Sequence, residues 1–197
     1  MNTQENDYIQ TLKTKIWTTR GARFNAYRRL SRRSRITTYL ISIYSAYVLI
    51  ASSFEEQLSI YFPEAPSTLK IVLFSSSLII LLLSVIESSS RYEIAAYNLH
   101  ENAKKLSPLI EKLDQLATSQ TSANTLESAT LISEEYTDII NSCPENHSSV
   151  DYEKFKIDHP ELSPHKNRLL TLAHYYFSSI IFLLTIFTPL ILILSLK

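Results

Sequence analysis

The sequence predicts an all-α membrane protein: an N-terminal cytoplasmic helix, a transmembrane hairpin, a set of cytoplasmic helices and a C-terminal third transmembrane helix. Three observations predict it. Uncharged runs of near-membrane length occupy residues 36–54, 71–86 and 169–196. Apolar residues outside them recur at alternating steps of four and three, the period of a packed helix. Gly21 is the only glycine in 197 residues, where a globular chain averages roughly 7%. Few positions can then adopt positive φ, which disfavours a β-rich fold with many tight turns. It also excludes glycine-rich phosphate loops, which need several glycines for close approach of backbone to phosphate.

Residues 1–35 form the first element, a basic amphipathic helix expected in the cytoplasm. They hold nine Lys or Arg and two acids, a net of +7. Ile9, Leu12, Ile16, Thr19, Arg23, Ala26 and Leu30 make its seam. Its end reads RGARFNAYRRLSRRSR, with seven arginines in sixteen residues.

The hairpin, residues 36–90, follows. Nineteen uncharged residues in a helix span about 28 Å, close to the hydrocarbon thickness of a bilayer. The second run, IVLFSSSLIILLLSVI, is slightly short, and Lys70 can extend it by snorkelling. Positive charge sets orientation. Six arginines precede the first run within fifteen residues, whereas the connecting segment carries Glu55, Glu56 and Glu64 and only Lys70 at its edge. The N-terminus is therefore expected inside and the connection outside, with Pro63 and Pro66 in the turn. Thr38, Ser42, Ser45 and Ser52 fall on one face of the first run, and Ser77, Ser84 and Ser88 on one face of the second. Such small residues let membrane helices pack closely, or line a polar path in an oligomer.

Residues 91–168 read as cytoplasmic helices. Residues 87–168 carry eight basic and fourteen acidic side chains, a net of −6, which could face the basic N-terminal segment. The seam runs Tyr92, Ala96, Leu99, Ala103, Leu106, Ile110, Leu113 and Ala117, with a kink expected at Pro108. The second span is expected to continue into this helix without a break. A polar linker, residues 118–125, leads to a further amphipathic helix ending before Pro144. A polar loop fills 143–168. The third span, residues 169–197, holds His174 near its start and Pro189 near its end, and leaves the C-terminus outside.

No catalytic constellation stands out, so the chain is not expected to be an enzyme, and no cofactor or metal is expected. Cys143 is the only cysteine, which excludes an intrachain disulfide. Met1 is followed by polar residues up to Asp7, unlike a cleavable signal peptide. Cys143 with His147 could form a thiol–imidazole pair, although Pro144 separates them. His147, Asp151, Asp158 and His159 could converge on a metal, although loop polar groups read more simply as turn formers. The arginine run has three readings: the positive flank of a span, a surface for anionic lipid, or a receptor for a nucleotide or nucleic acid, with Phe24 and Tyr27 stacking on a base.

KIWTTRGARFNAYRRLSRRSR directly before a hydrophobic hairpin resembles the SLATT family, two-transmembrane effector domains associated with bacterial nucleotide-signalling modules. Ile16, Trp17, Thr19, Arg20, Arg23, Ala26, Arg29 and Leu30 carry the resemblance. YNLHENAKKL is similar to the family's post-membrane helix. CPENHSSVDYEKFK is similar to the downstream motif of a subgroup linked to reverse transcriptases. The resemblance implies a membrane effector of a bacterial antiviral or conflict system, forming or opening a pore in the inner membrane when a nucleotide or nucleic-acid-linked partner module activates it. The third apolar run departs from the two-span pattern. Trp17, Arg20, Arg23, Phe24 and Tyr27 are the expected ligand or partner contacts. Thr38, Ser42, Ser45, Ser52, Ser77 and Ser84 are the expected pore or helix-interface residues. Expected partners are membrane lipid, further copies of the chain, and an upstream nucleotide-signalling or reverse-transcriptase module; direct contact with nucleic acid stays open. The alternative is a non-conducting membrane anchor that docks a nucleic-acid enzyme.

Overall fold

The structure, a computed structural model, describes residues 3–61, 66–118, 125–162 and 168–186. The described residues form helices throughout, with short turns between them. α1, Thr3–Ser53, is 51 residues long. It contains no proline, and its only weak helix former of the glycine kind is Gly21. It ends at Phe54, and the short helix α2 follows at Glu55–Tyr61. α3, Pro66–Ser90, opens on a proline, whose missing N–H is no loss in a first turn.

The chain then departs from the expected continuous helix. Arg91 has φ 50°, the left-handed region, and α4 begins anew at Tyr92–Lys105. The serine run before it supplies a cause. Ser89 and Ser90 donate their hydroxyls to the carbonyls of Val85 and Ile86, and such back-bonding competes with the helical ladder.

A second break replaces the expected kink. Leu106 makes a three-residue turn, its N–H on Ala103 O at 3.2 Å, and α5 starts at Ser107–Thr118 with Pro108 in its first turn. The interruption changes one position of the seam, and Leu113 beyond it is buried as expected. Ala96, Leu99, Ala103 and Leu106 are buried as expected, but the next buried residue is Leu109, with Ile110 only partly covered. α6 (Thr125–Asn141), α7 (Ser149–Asp158), α8 (Arg168–Tyr175) and α9 (Phe177–Ile186) complete the described chain.

The chain divides into two units, residues 1–31 with 93–177, and residues 32–92 with 178–197. The first has a core. Ile9, Leu12 and Ile16 of α1 meet Leu106, Leu109 and Leu113 around α5, and Ala129, Ile132 and Tyr136 of α6. Both expected seams thus meet in one cluster. Ion pairs join the basic segment to the acidic one, among them Lys13 with Asp114 and Arg29 with Asp151.

The second unit has the opposite character. No residue of 36–53 or 71–86 is buried, and Leu49, Ile50, Ile71, Phe74 and Leu81 are among the widely exposed side chains. These are two helices long and apolar enough to cross a membrane. Apolar surface of this extent on every side of a helix matches lipid as its solvent rather than water. Lys70 pairs with Glu55 at 3.4 Å beside the connection, and Arg33 lies over the Tyr92 ring at 4.4 Å.

The third apolar run is divided at Tyr176. α8 belongs to the first unit, where Tyr175 is buried, and all of α9 after Phe177 belongs to the second. Pro189 and residues 187–197 lie outside the described residues, as does the 119–124 part of the expected linker.

Candidate functional site

Residues 17–29, which include the five expected contact residues, are engaged with other helices of the first unit. Its geometry follows from helical spacing. Gly21, Asn25 and Arg29 stand four apart on one face of α1. That face receives α7. The Phe155 ring lies directly on Gly21: a Cβ there would come within 1.9 Å of Phe155 Cε2. Trp17 flanks the ring edge-on at 4.8 Å, and His159 packs against both, edge-on to Trp17 at 4.6 Å and tilted against Phe155 at 4.4 Å.

One turn further, Asn25 donates its amide to Asp151 O at 3.2 Å and accepts the Tyr175 hydroxyl on its own carbonyl at 2.9 Å. At the third step Arg29 clasps Asp151 with two bonds, Nε to Oδ1 at 2.7 Å and Nη2 to Oδ2 at 2.9 Å. Asp151 is placed by the start of α7. It also accepts the backbone N–H and the hydroxyl of Ser148, both at 2.9 Å, as the third residue of a capping box. The carboxylate has no exposed surface. Arg29, expected as part of the membrane flank, is therefore a structural clasp; burial of its partner and bidentate geometry make it more than a surface pair.

The next face of α1 meets α4. His100 sits between the Phe24 and Tyr27 rings, at 5.6 and 4.5 Å. Arg23 is only 2% exposed and bonds the Asn102 side-chain carbonyl, whose amide in turn donates to Ile139 O at 2.5 Å. Arg20 reaches the Ser107 hydroxyl at 3.4 Å. All five residues expected to contact a ligand, Trp17, Arg20, Arg23, Phe24 and Tyr27, thus make intramolecular contacts in this unit. The rings of Phe24 and Tyr27 face an imidazole.

Arg23→Ala should destabilise the first unit by about 2 kcal/mol, because Asn102 loses its charge-assisted partner inside the core. Arg28→Ala, at an exposed site of the same helix, should stay within about 0.5 kcal/mol of wild type. Urea titrations of both variants followed by Trp17 fluorescence check this, and equal midpoints would refute the buried role.

The loop before α7 brings His147 beside the same residues. Its Nδ1 is buried without a hydrogen-bond partner. Burial, and then the neighbouring Arg23 guanidinium, hold its pKa below the ordinary 6.5, while Asp151 pulls the other way. Cys143 does not pair with it: the thiol faces Glu145, at 3.9 Å. Nor do the four loop groups converge on a metal. Asp151 serves Arg29, Asp158 serves Lys154, and His159 contacts Glu161 and the aromatic cluster.

In the second unit, the expected interface residues are mostly satisfied within their own helices. Thr38 donates to Ser34 O, Ser42 to Thr38 O, Ser45 to Ile41 O, Ser77 to Leu73 O and Ser84 to Ile80 O, at 2.7–3.0 Å. Ser52 is exposed near the end of α1. A hydroxyl bonded to its own backbone can stand in lipid without leaving a donor unpaired.

Residues 5–195 match the family model described as SMODS and SLOG-associating 2TM effector domain family 5. The chain belongs to that family. No curated protein and no solved structure matches it. The two-transmembrane description of family 5 agrees with the two helices of membrane length in the second unit. It makes the chain a membrane effector. Family 5 membership extends through α8 and α9 as well, so these segments are part of the matched domain.

Proposed function

We propose that the protein is the membrane effector of a bacterial antiviral defence system, one that forms or opens a pore in the inner membrane when a nucleotide or nucleic-acid-linked signal reaches its cytoplasmic helices. The observation that carries this reading is the division of labour along the chain. One unit exposes apolar side chains along both its long helices, and the other has a packed core fastened by buried polar contacts. A family of two-transmembrane effectors supplies the context. The arginine-rich flank of the first span favours a cytoplasmic N-terminus, and the third apolar run would then lead the C-terminus outward. Self-association through the small-residue faces would complete a conducting path. An upstream nucleotide-signalling or reverse-transcriptase module is the partner that this reading requires.

A second reading has an observation of its own. The hydroxyls of Thr38, Ser42, Ser45, Ser77 and Ser84 are bonded within their own helices, so these residues need no polar path to be satisfied. A non-conducting anchor that docks a nucleic-acid enzyme fits that fact.

Reconstitution in liposomes separates the two. Leakage of a trapped dye only when the partner module is added is the expected result. Partner binding with intact liposomes would sink the pore and leave the anchor. In intact cells a membrane-impermeant maleimide should leave Cys143 unlabelled until lysis; labelling before lysis would reverse the proposed orientation.

A further inference from the structure

α8 is fixed to the first unit along one side only. It packs against α7, and the buried Tyr175 donates its hydroxyl to Asn25 O of α1 at 2.9 Å. Lys154 Nζ of α7 lies over the same ring at 5.7 Å. Helical spacing then sends Leu169, Leu170 and Ala173 to the opposite side. All three are exposed there. Leu169 at 84% and Leu170 at 71% are the most open large apolar side chains among the described residues of this unit. An apolar cluster of this kind on a docked helix marks a surface that something other than water covers.

Three observations point to lipid as the cover. The exposed apolar side chains continue into the membrane unit: α8 ends at Tyr175, and α9 opens on exposed Phe177, followed by exposed Ile180 and Ile181. The flanking residues are of the types that headgroups favour. Arg168 opens α8, exposed and without an ion pair among the described residues, and the exposed Tyr176 follows its last residue. The other junction has the same feature. α4 starts at Tyr92, just after α3 ends at Ser90, and its first turns expose Ile94 and Tyr97. A protein partner has no reason to follow both junctions, whereas lipid meets every segment that leaves a span.

We propose that α8 is an interfacial helix. It lies on the surface of the bilayer that holds the two long helices, with Leu169, Leu170 and Ala173 at the boundary between headgroups and acyl chains and Arg168 beside lipid phosphate. Tyr175 fixes its other side to the folded unit and the chain runs on into α9, so this contact needs little further ordering. The span expected to begin at residue 169 then begins at Phe177. The arrangement also ties the clasp to lipid, because Asn25 holds Tyr175 through its carbonyl and Asp151 through its side-chain amide. It goes beyond the pore and anchor readings and is compatible with either.

The test uses the full chain in nanodiscs of phosphatidylcholine and phosphatidylglycerol. Cys143→Ser removes the native thiol, and a nitroxide is attached at Leu169→Cys, Leu170→Cys or Ala173→Cys, one site at a time. Ile79→Cys, midway along the second run, is the reference for the bilayer interior, and Glu127→Cys, exposed on α6, the reference for water. Trp17 fluorescence checks that each labelled chain is folded. The readout is relaxation by oxygen, which concentrates in lipid, against relaxation by a water-soluble nickel chelate. The three α8 labels should meet oxygen more than nickel, at about 5–10 Å into the headgroup and acyl boundary. They should read shallower than Ile79→Cys, with no steady change in depth from 169 to 173. A depth that grows by about 1.5 Å per residue from 169 to 173 would make α8 the start of the span. Nickel contact equal to that of Glu127→Cys would leave the face in water. Shielding from both reagents would assign the cover to a protein partner or a second copy. Each of these three results would overturn the proposal. None of them depends on dye leakage, so the interfacial helix and the pore stand or fall separately.

Discussion

Asp151→Ala should destabilise the first unit by about 3 kcal/mol, the low end of what breaking a buried ion pair costs. The carboxylate is fully buried and accepts four bonds, two from Arg29 and two from Ser148. Its removal takes the counter-charge from a half-buried guanidinium and the side-chain cap from α7 together, and capping alone is worth about 1 kcal/mol. Asp151→Asn should rescue little. The amide keeps the shape, but it offers one acceptor oxygen where the site uses two, and turns N–H groups toward the donors of Arg29 or Ser148. Trp17, the only tryptophan, touches Phe155 and His159, so its fluorescence reports the docking of α7 directly. A urea midpoint within about 0.5 kcal/mol of wild type for the alanine variant would show that the clasp carries no weight. Under the pore reading, loosening this clasp should also raise basal leakage from liposomes, because α7 and α1 are part of the unit that receives the signal.

Much of this architecture is legible in the amino-acid pattern. The runs at 36–54 and 71–86 carry no charge, and neither run holds a buried residue. Ile9, Leu12 and Ile16 share one seam and Ala96, Leu99 and Ala103 another, and both are in the interior. The breaks are harder to see. Arg91 adopts left-handed geometry that no glycine or asparagine announces, since the cause is a serine run back-bonding to its own helix. Pro108 is visible, but whether a proline kinks a helix or starts a new one depends on what the preceding turn can pack against. The exchange of Ile110 for Leu109 in the seam follows only once the break is known.

The contacts that residues 17–29 make inside the unit are not legible in the sequence. Residues 17–29 make polar and aromatic contacts with other helices of the unit. An arginine-and-aromatic cluster reads as a receptor when its surroundings are unknown, because sequence periodicity on α1 does not tell which face another helix covers. That face is covered from over a hundred residues away, by Asp151 and Phe155. One signal does point there. Serine followed three residues later by aspartate, at 148 and 151, is the start of a helix, and it fixes Asp151 on the turn that faces Arg29. The other is Gly21. Its solitude excludes phosphate loops, and it also raises the question of what needs a glycine in the middle of a 51-residue helix.

Gly21→Ala answers that question and should destabilise the first unit by about 1–3 kcal/mol, the usual cost of overfilling a packed site. The sign is informative, because helix propensity alone predicts the opposite. In an unencumbered helix the same change stabilises by roughly 1 kcal/mol. Here the new Cβ would fall 1.9 and 2.2 Å from Phe155 Cε2 and Cδ2, far inside contact distance. A ring at the end of a side chain can sometimes swing away, but Phe155 is 6% exposed and held between Trp17 and His159. The strain must therefore pass into the docking of α7 and, through it, into the Arg29–Asp151 clasp further along α1. Phe155→Leu should cost about 1–2 kcal/mol alone by leaving part of the space empty. The double variant should be less destabilised than the sum of the two by at least about 1 kcal/mol, since each change relieves the defect of the other. Trp17 fluorescence in urea measures all four corners of the cycle. Additive losses, or a Gly21→Ala variant more stable than wild type, would mean that the ring does not rest on this turn of the helix. A coupling of the expected size would establish, from energetics alone, that the arginine-rich stretch and the segment 143–156 are two halves of one packed surface.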